Sequence, residues 1–293
     1  MKNTSVAKNI ARKKSRKIFK TGFLPRFFVK GGALITLAVI LTIVIYILIN
    51  GIPNLNSKLF AWEYNSENVS MMPAIVNTVV MVVVTLLMSV PIGIGAAVYM
   101  VEYVKKESKL AKIIKLATQT LAGVPSIVYG LFGALFFVKY LNLQLSILSG
   151  CLTLGIMILP IVMETTEEAL RMVPVSYKEG SLALGATRVQ TIFKVMLRPA
   201  TPGILSAVII AVGRIVGESA ALVFTAGTIA QPMTSMLNSG RSLSVHMYVL
   251  SGEGLYIKQT YATATVLMLL VLILNGISSL IARKLEKNTT KEE

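Results

Sequence analysis

Arg214 and Glu218 stand four residues apart inside the apolar stretch RIVGESAALVFTAG, residues 214–227. An arginine at the centre of a membrane helix costs on the order of 2.5–3.5 kcal/mol on insertion scales, so something at that depth must compensate for it. Guanidinium is permanently charged and planar, and its fork of N–H donors grips phosphate or carboxylate oxygens two at a time. A spacing of four predicts that both side chains share one helix face, with Glu218 holding Arg214 when no anion is present. The chemistry implied is transient handling of an oxyanion on a solute path. A neutralised pair that only fixes helix packing is the competing reading.

Other reactive groups are scarce. The chain has one histidine, His246, one cysteine, Cys151, and no aspartate among its 293 residues. Metal clusters and aspartate-dependent active sites are therefore short of parts. Cys151 lies in an apolar run and reads as a small buried hydrophobe, and His246 reads as a surface histidine of an outer loop. GESAA at 217–221 has the outline of a G-x-S-x-G nucleophile motif, which makes Ser219 a formal candidate for hydrolysis. A serine needs a base within hydrogen-bond reach. His246 lies beyond the end of the run, and no aspartate exists to orient it. No G-x-x-x-x-G-K-[ST] occurs, so the chain has no phosphate-cradling loop for ATP, and no cofactor is expected in it.

The elements that must position Arg214 follow from composition. With 54% hydrophobic residues, 14% charged residues and a mean hydropathy of +0.72, the chain is built for lipid. Six apolar runs occur at 31–49, 73–101, 116–138, 141–163, 199–229 and 260–282. Each reaches or exceeds the roughly 17–25 residues that a membrane helix needs. Of the 29 Lys and Arg, 24 fall in 1–30, 104–115, 171–198 and after Ile281. Lys58, Lys139, Arg241 and Lys258 lie on the other side, and Arg214 within a run. The basic side faces the cytoplasm, so both termini are cytoplasmic. The net charge of +16 is thus mainly a topology signal, which leaves no case for nucleic acid. The first run has no cleavage site after it and reads as an uncleaved anchor. Pro125 is expected to kink the third span, Gly123 and Gly130 to allow close packing there, and the glycines of GIG at 93–95 to serve packing. The parts are a basic tail (1–30), a first helix with an outer loop (31–70), a membrane domain (71–282) and a second tail (283–293).

Between the fourth and fifth runs lies the most elaborate cytoplasmic loop, within 174–199. Ser176 followed by Glu179 has capping-box spacing and predicts a helix start. Gly185 suits the left-handed position that closes that helix. Thr187 followed by Gln190 repeats the capping spacing and opens a second helix running toward Pro199. Ile192, Val195 and Met196 supply its apolar face. Two short helices joined at a glycine form a knob, suited either to lie on the bilayer surface or to dock in a partner's groove.

The loop EGSLALGATRVQTIFKVMLRPATPGI resembles the coupling loop of membrane-spanning subunits of ABC importers, with Glu179, Gly180, Gly185, Thr187, Val195, Leu197 and Pro199 in the matching region. Gly180 stands where that family has alanine, and Arg198 displaces the proline by one place. RIVGESAALVFTAG is similar to the R-x-x-G-E-[ST]-A signature of phosphate importer permeases, as are LAGVPSIVYGLFG, AAVYMVEY and TTEEALRMVP. ESAALVFTAG is closer to the PstA-type subunit than to the PstC-type. Glu164 departs from the neutral or basic residue expected there.

The resemblance implies an all-α membrane protein of six transmembrane helices with the type I ABC importer permease fold, in a prokaryotic plasma membrane. It implies pairing with a PstC-type subunit, two PstB-type ATPases that carry ATP and Mg, and a PstS-type binding protein that delivers phosphate. Arg214 and Glu218 would lie on the phosphate path, and the coupling loop would meet the ATPase. A PstC-type role, or another oxyanion, is the alternative within the family. Outside it stands a secondary transporter built of two related halves, but neither the loop nor the charged pair recurs in the first three spans.

Overall fold

Backbone N–H and C=O groups find no water in hydrocarbon, so a spanning chain must satisfy them within helices or a closed barrel. The structure, a computed structural model, describes residues 23–105 and 108–290, which are helical with no strand. Residues 1–22, most of the basic tail expected at 1–30, lie outside the described residues, as do 106–107 and 291–293, the end of the second tail. The chain divides into two units, one ending at Asn50 and the other running from Gly51. In the first, α1 (Phe23–Gly51) begins eight residues before the apolar run does.

In the second unit the helices are α2 (Met72–Glu102), α3 (Lys109–Gly123), α4 (Ser126–Gly133, continued by a π-helical stretch Ala134–Tyr140), α5 (Ile147–Met172), α6 (Val175–Ala183), α7 (Arg188–Gly217), α8 (Ala220–Thr225), α9 (Leu243–Glu253) and α10 (Ile257–Thr290). Among the described residues, five helices are long and apolar enough to cross a membrane, or six if the bent α3–α4 pair is one span. The fourth span starts at Ile147 rather than Leu141. Asn142 and Gln144 take positive φ just before it, and the Ser146 hydroxyl accepts from the Ser149 N–H to cap it.

Two spans are broken where continuous helices were expected. At Pro125 the chain does not merely kink: α3 stops, α4 starts, and their directions differ by 101°. Val124 and Pro125 are extended, as the steric demand of proline on its predecessor requires. The fifth span ends at Gly217 instead of running on toward Ile229, because Glu218 turns to an extended conformation.

α5 forms the centre, packed between α2 and α7. Small residues let the helices approach, which is how apolar helices associate when no hydrophobic effect separates them from lipid. A Cβ on Gly93 would meet Val162 at 2.7 Å, and one on Gly130 would meet the Ala221 backbone at 2.8 Å. Gly95 and Gly123 face open space, so the packing expected of those two glycines is not found. Hydroxyls at this depth bond back along their own helix, as Thr78, Thr153 and Thr225 do to carbonyls four residues earlier. Cys151 is fully buried and free.

On the outer side, α2 pins the loop that follows α8. Buried Asn77 donates to the carbonyls of Gln231 and Arg241 and accepts from the Met233 N–H. Thr78 accepts from the Leu243 N–H at 2.8 Å. This anchoring corrects the reading of His246 as a surface residue, because it is 0% exposed. Its imidazole lies edge-on to Tyr64, and the Arg241 guanidinium sits 4.7 Å from the centroid of the same ring. Burial, then the charge of Arg241, lowers the His246 pKa from 6.5 to about 3. The unfolded chain therefore takes up a proton below pH 6.5 that the folded chain refuses, so acidification favours unfolding. Lowering the pH from 7 to 5 should cost about 2 kcal/mol through this residue. Thermal unfolding of the purified protein should show the loss, and His246→Gln should remove most of it. An equal pH dependence in both proteins would contradict this account.

Candidate functional site

The two helix breaks meet. α4 packs against α8, Gly130 lies against Ala221, and Gly133 approaches Thr153 and Thr225. Irregular backbone at membrane depth is tolerated where protein covers it or a wet cavity adjoins it. The Tyr129 hydroxyl, just past the first break, donates to the Leu121 carbonyl at 2.8 Å just before it, and so supplies one stray acceptor with a partner.

Arg214 and Glu218 flank the second break, and their arrangement differs from the expected one. They do not share a helix face, because α7 ends between them at Gly217. Nor do they pair, since among the described residues the ion pairs are Arg171–Glu167 and Lys178–Glu102. Arg214 sits in the last turn of α7, where unsatisfied carbonyls make the helix end negative and favour a cation. Glu218 is buried, and its Oε1 accepts from the Ala221 N–H at 3.0 Å at the start of α8. A carboxylate is the charge that a helix start favours. Its carbonyl accepts from the Ser244 hydroxyl, which joins the break to α9.

Each charge is thus stabilised by a helix terminus rather than by the other. Half-buried Arg214 makes no hydrogen bond or ion pair among the described residues, and lies within electrostatic reach of Tyr129 beside the first break. The signal for the break was present in the sequence: glycine, then two residues able to cap, is a helix stop followed by a start.

The knob at 174–199 is partly as expected. Gly185 takes φ +84 and closes α6. Thr187 and Gln190 form a reciprocal capping box. Two features differ. α6 starts at Val175 behind Pro174, so Ser176 lies inside it and makes no cap. The second element is no separate short helix but the beginning of α7, which passes Pro199 and Pro202 after a π-helical stretch at Thr191–Met196. Such widened turns accommodate prolines that would break a regular ladder.

Ser181 and Thr191 join their hydroxyls at 2.9 Å across the knob, and Lys178 bonds Glu102 at the end of α2 at 2.7 Å. Ile192 and Met196 are buried against the protein itself. The exposed apolar side chains of the knob include instead Leu184, Val189 and Phe193, with Leu184 91% exposed, and also Val175 and Tyr177. Glu179 and Gly180 are exposed as well, while Val195 and Leu197 are half-buried.

Comparison with known proteins places this architecture. Residues 89–291 match the family described as "Binding-protein-dependent transport system inner membrane component". The chain belongs to this family. Among its relatives, the probable ABC transporter permease protein YqgI of Bacillus subtilis is 33% identical over 279 residues, covering 87% of this chain and 94% of that protein. The phosphate transport system permease protein PstA of Pasteurella multocida is 32% identical over 231 residues, covering 77% and 81%.

Solved structures agree in fold. The bacterial alginate ABC transporter in complex with its alginate-bound periplasmic protein gives a TM-score of 0.64 at 16% identity, over 94% of this chain and 98% of that one. The inward-facing MetNI methionine transporter gives 0.58 at 20% identity, over 73% and 93%. The protein is therefore a multi-pass membrane permease subunit of an ABC importer, with the type I permease fold.

The break itself is testable. Glu218→Ala removes the acceptor at the start of α8 and should cost about 1 kcal/mol, whereas Glu218→Gln keeps an oxygen there and should cost less. Thermal unfolding, with hydrogen exchange at Ala221, separates the two. Equal behaviour of both variants and the parent would count against capping.

Proposed function

We propose that this chain is the PstA-type permease subunit of an ATP-driven inorganic phosphate importer. It forms half of the pathway beside a PstC-type subunit, couples to two PstB-type ATPases that hold ATP and Mg, and receives phosphate from a PstS-type binding protein. The observation that carries the reading is the free guanidinium of Arg214 at the broken fifth span, in a chain whose relatives include PstA proteins. A permanent cation with an open donor fork suits an oxyanion better than a sugar or a cation. Glu218 contributes by holding the break that presents Arg214. Phosphate needs only weak, brief binding here, since a deep well would slow its release.

ATP hydrolysis belongs to the separate subunits. The knob meets them through Leu184, Val189 and Phe193, with Glu179 and Gly180 beside that face and Gly185 and Thr187 fixing its shape. Val195 and Leu197, half-buried within the first part of α7, stand behind these exposed residues. Closure of the ATPases would then reach the pathway along one helix, since α7 begins in the knob and ends at Gly217, with Arg214 in its last turn.

Arg214→Gln should lower phosphate uptake about ten- to a hundredfold, the range expected for losing a charge-assisted hydrogen bond, while the complex still assembles. Uptake of labelled phosphate by cells or proteoliposomes measures this, and uptake at the parent rate would refute the pathway role. Competition by sulfate or molybdate would move the assignment to another oxyanion.

Gly185→Val places a β-branched residue at φ +84, where even an ordinary side chain costs roughly 1–2 kcal/mol. It should reduce co-purification of the ATPase, and Leu184→Glu should do so without disturbing the turn. Undiminished recovery of the ATPase with both variants would refute docking through the knob.

A further inference from the structure

At the end of the molecule assigned to the cytoplasm by its basic loops, two adjoining cavities lie between α2, α3 and α5, and one of them reaches Ala122 near the end of α3. One, of about 350 Å³, is lined by Met100, Val104, Ala111, Lys112, Lys115, Glu167 and Arg171. Glu167 is engaged with Arg171 at 2.6 Å. The ammonium groups of Lys112 and Lys115 have no partner among the described residues. The cavity therefore carries an uncompensated positive charge against an apolar wall. The other, of about 340 Å³, shares Lys115, Glu167 and Arg171 and adds Glu164 and Glu168. Those two carboxylates limit the anion-attracting part to the Lys112 side.

α3 supplies both lysines, and it also leaves an apolar stripe uncovered. Leu110, Ile113 and Leu116, at helical spacing, are 47%, 64% and 67% exposed. An amphipathic helix with lysines beside an open apolar stripe matches the boundary between headgroups and acyl chains. Basic pockets between membrane helices on the cytoplasmic side are suited to anionic lipid heads.

We propose that this cavity binds the phosphodiester head of an anionic phospholipid from the inner leaflet, with its acyl chains over Leu110, Ile113 and Leu116. A free phosphate ion would use the two lysines but would gain nothing from the apolar stripe or from Met100 and Val104. The site also adjoins the coupling element. Met100 and Val104 flank Glu102, whose carboxylate holds Lys178 of the knob. A lipid seated there braces the end of α2 to which the knob is tied. The binding stands apart from the phosphate reading; its effect on ATP hydrolysis rests on the reading of the knob as the coupling element.

The test uses the assembled transporter in nanodiscs of phosphatidylcholine alone or mixed with phosphatidylglycerol, as the parent and as the Lys112→Gln, Lys115→Gln double variant. Native mass spectrometry after detergent release should show phosphatidylglycerol retained by the parent, and its retention should weaken about fivefold for each lysine removed. Phosphatidylglycerol should raise ATP hydrolysis by the parent but not by the variant, and the two should hydrolyse ATP alike in phosphatidylcholine.

Equal lipid retention by parent and variant would overturn the site. So would a response to inorganic phosphate in phosphatidylcholine nanodiscs that needs the lysines while phosphatidylglycerol has no effect, since that assigns the cavity to the free ion. Retention that depends on the lysines without a change in hydrolysis would uphold the site and refute its link to coupling. Reduced uptake by Arg214→Gln is read separately, so failure of the phosphate reading leaves this result interpretable.

Discussion

A helix that ends inside the apolar layer leaves carbonyls at one terminus and N–H groups at the other without intrahelical partners, and hydrocarbon offers none. The fifth span ends in this way at Gly217, and the arrangement around it follows from satisfying those groups. Arg214 lies where the carbonyls gather, Glu218 where the next helix begins, and Ser244 takes the carbonyl between them. The broken third span covers the same place with Gly130 and Gly133, glycines because nothing larger fits. Remove the break, and there is no physical reason for a cation and a carboxylate to occupy this depth separately.

The same helix joins the knob to the break. α7 begins in the capped knob, passes two prolines after a π-helical stretch, and ends at the break. The knob's shape is fixed locally, by a glycine in a left-handed turn, a reciprocal capping box and a hydroxyl pair. Its attachment to the rest of the protein is fixed separately, by buried Ile192 and Met196 and by the ion pair from Lys178 to α2. A tip of fixed local shape on a continuous helix would transmit displacement to the break if it docks as proposed; the residues alone left that reading open beside one of a loop lying on lipid.

How much of this was legible beforehand depended on whether the signal was local. Apolar runs and loop charges were sufficient for six spans, since length and lysine placement decide those directly. Gly185 and the Thr187–Gln190 pair were also legible, because a left-handed turn and a cap are properties of a few adjacent residues. The Arg214–Glu218 contact was misjudged: spacing of four implies one face only if the helix continues, and Gly217 ends it. His246 was misjudged for another reason. Its burial comes from Tyr64, Arg241 and the loop pinned by Asn77, contacts far apart in the chain that no periodicity records. The outward face of the knob fell between these cases. Helical spacing identified Ile192, Val195 and Met196 as apolar but could not say that Ile192 and Met196 turn inward, leaving Leu184, Val189 and Phe193 exposed.

Separation of the charged pair changes the physical account of how an anion would be handled. A carboxylate bonded to Arg214 would compete with every arriving anion, and weak binding would follow from that competition. Here Glu218 is occupied by the backbone of α8 and is not available as a competitor. Weakness must instead come from the guanidinium's own situation: one cation, half-exposed, already favoured by the carbonyl end of its helix. Part of its charge is thus answered before any solute arrives, which lowers what an anion gains by binding. A site of this kind attracts anions without trapping them, and its selectivity among oxyanions of similar size and charge is correspondingly slight. Under the proposed function, the burden of choosing one oxyanion would then fall on whatever delivers it, with the permease contributing a path of the right sign.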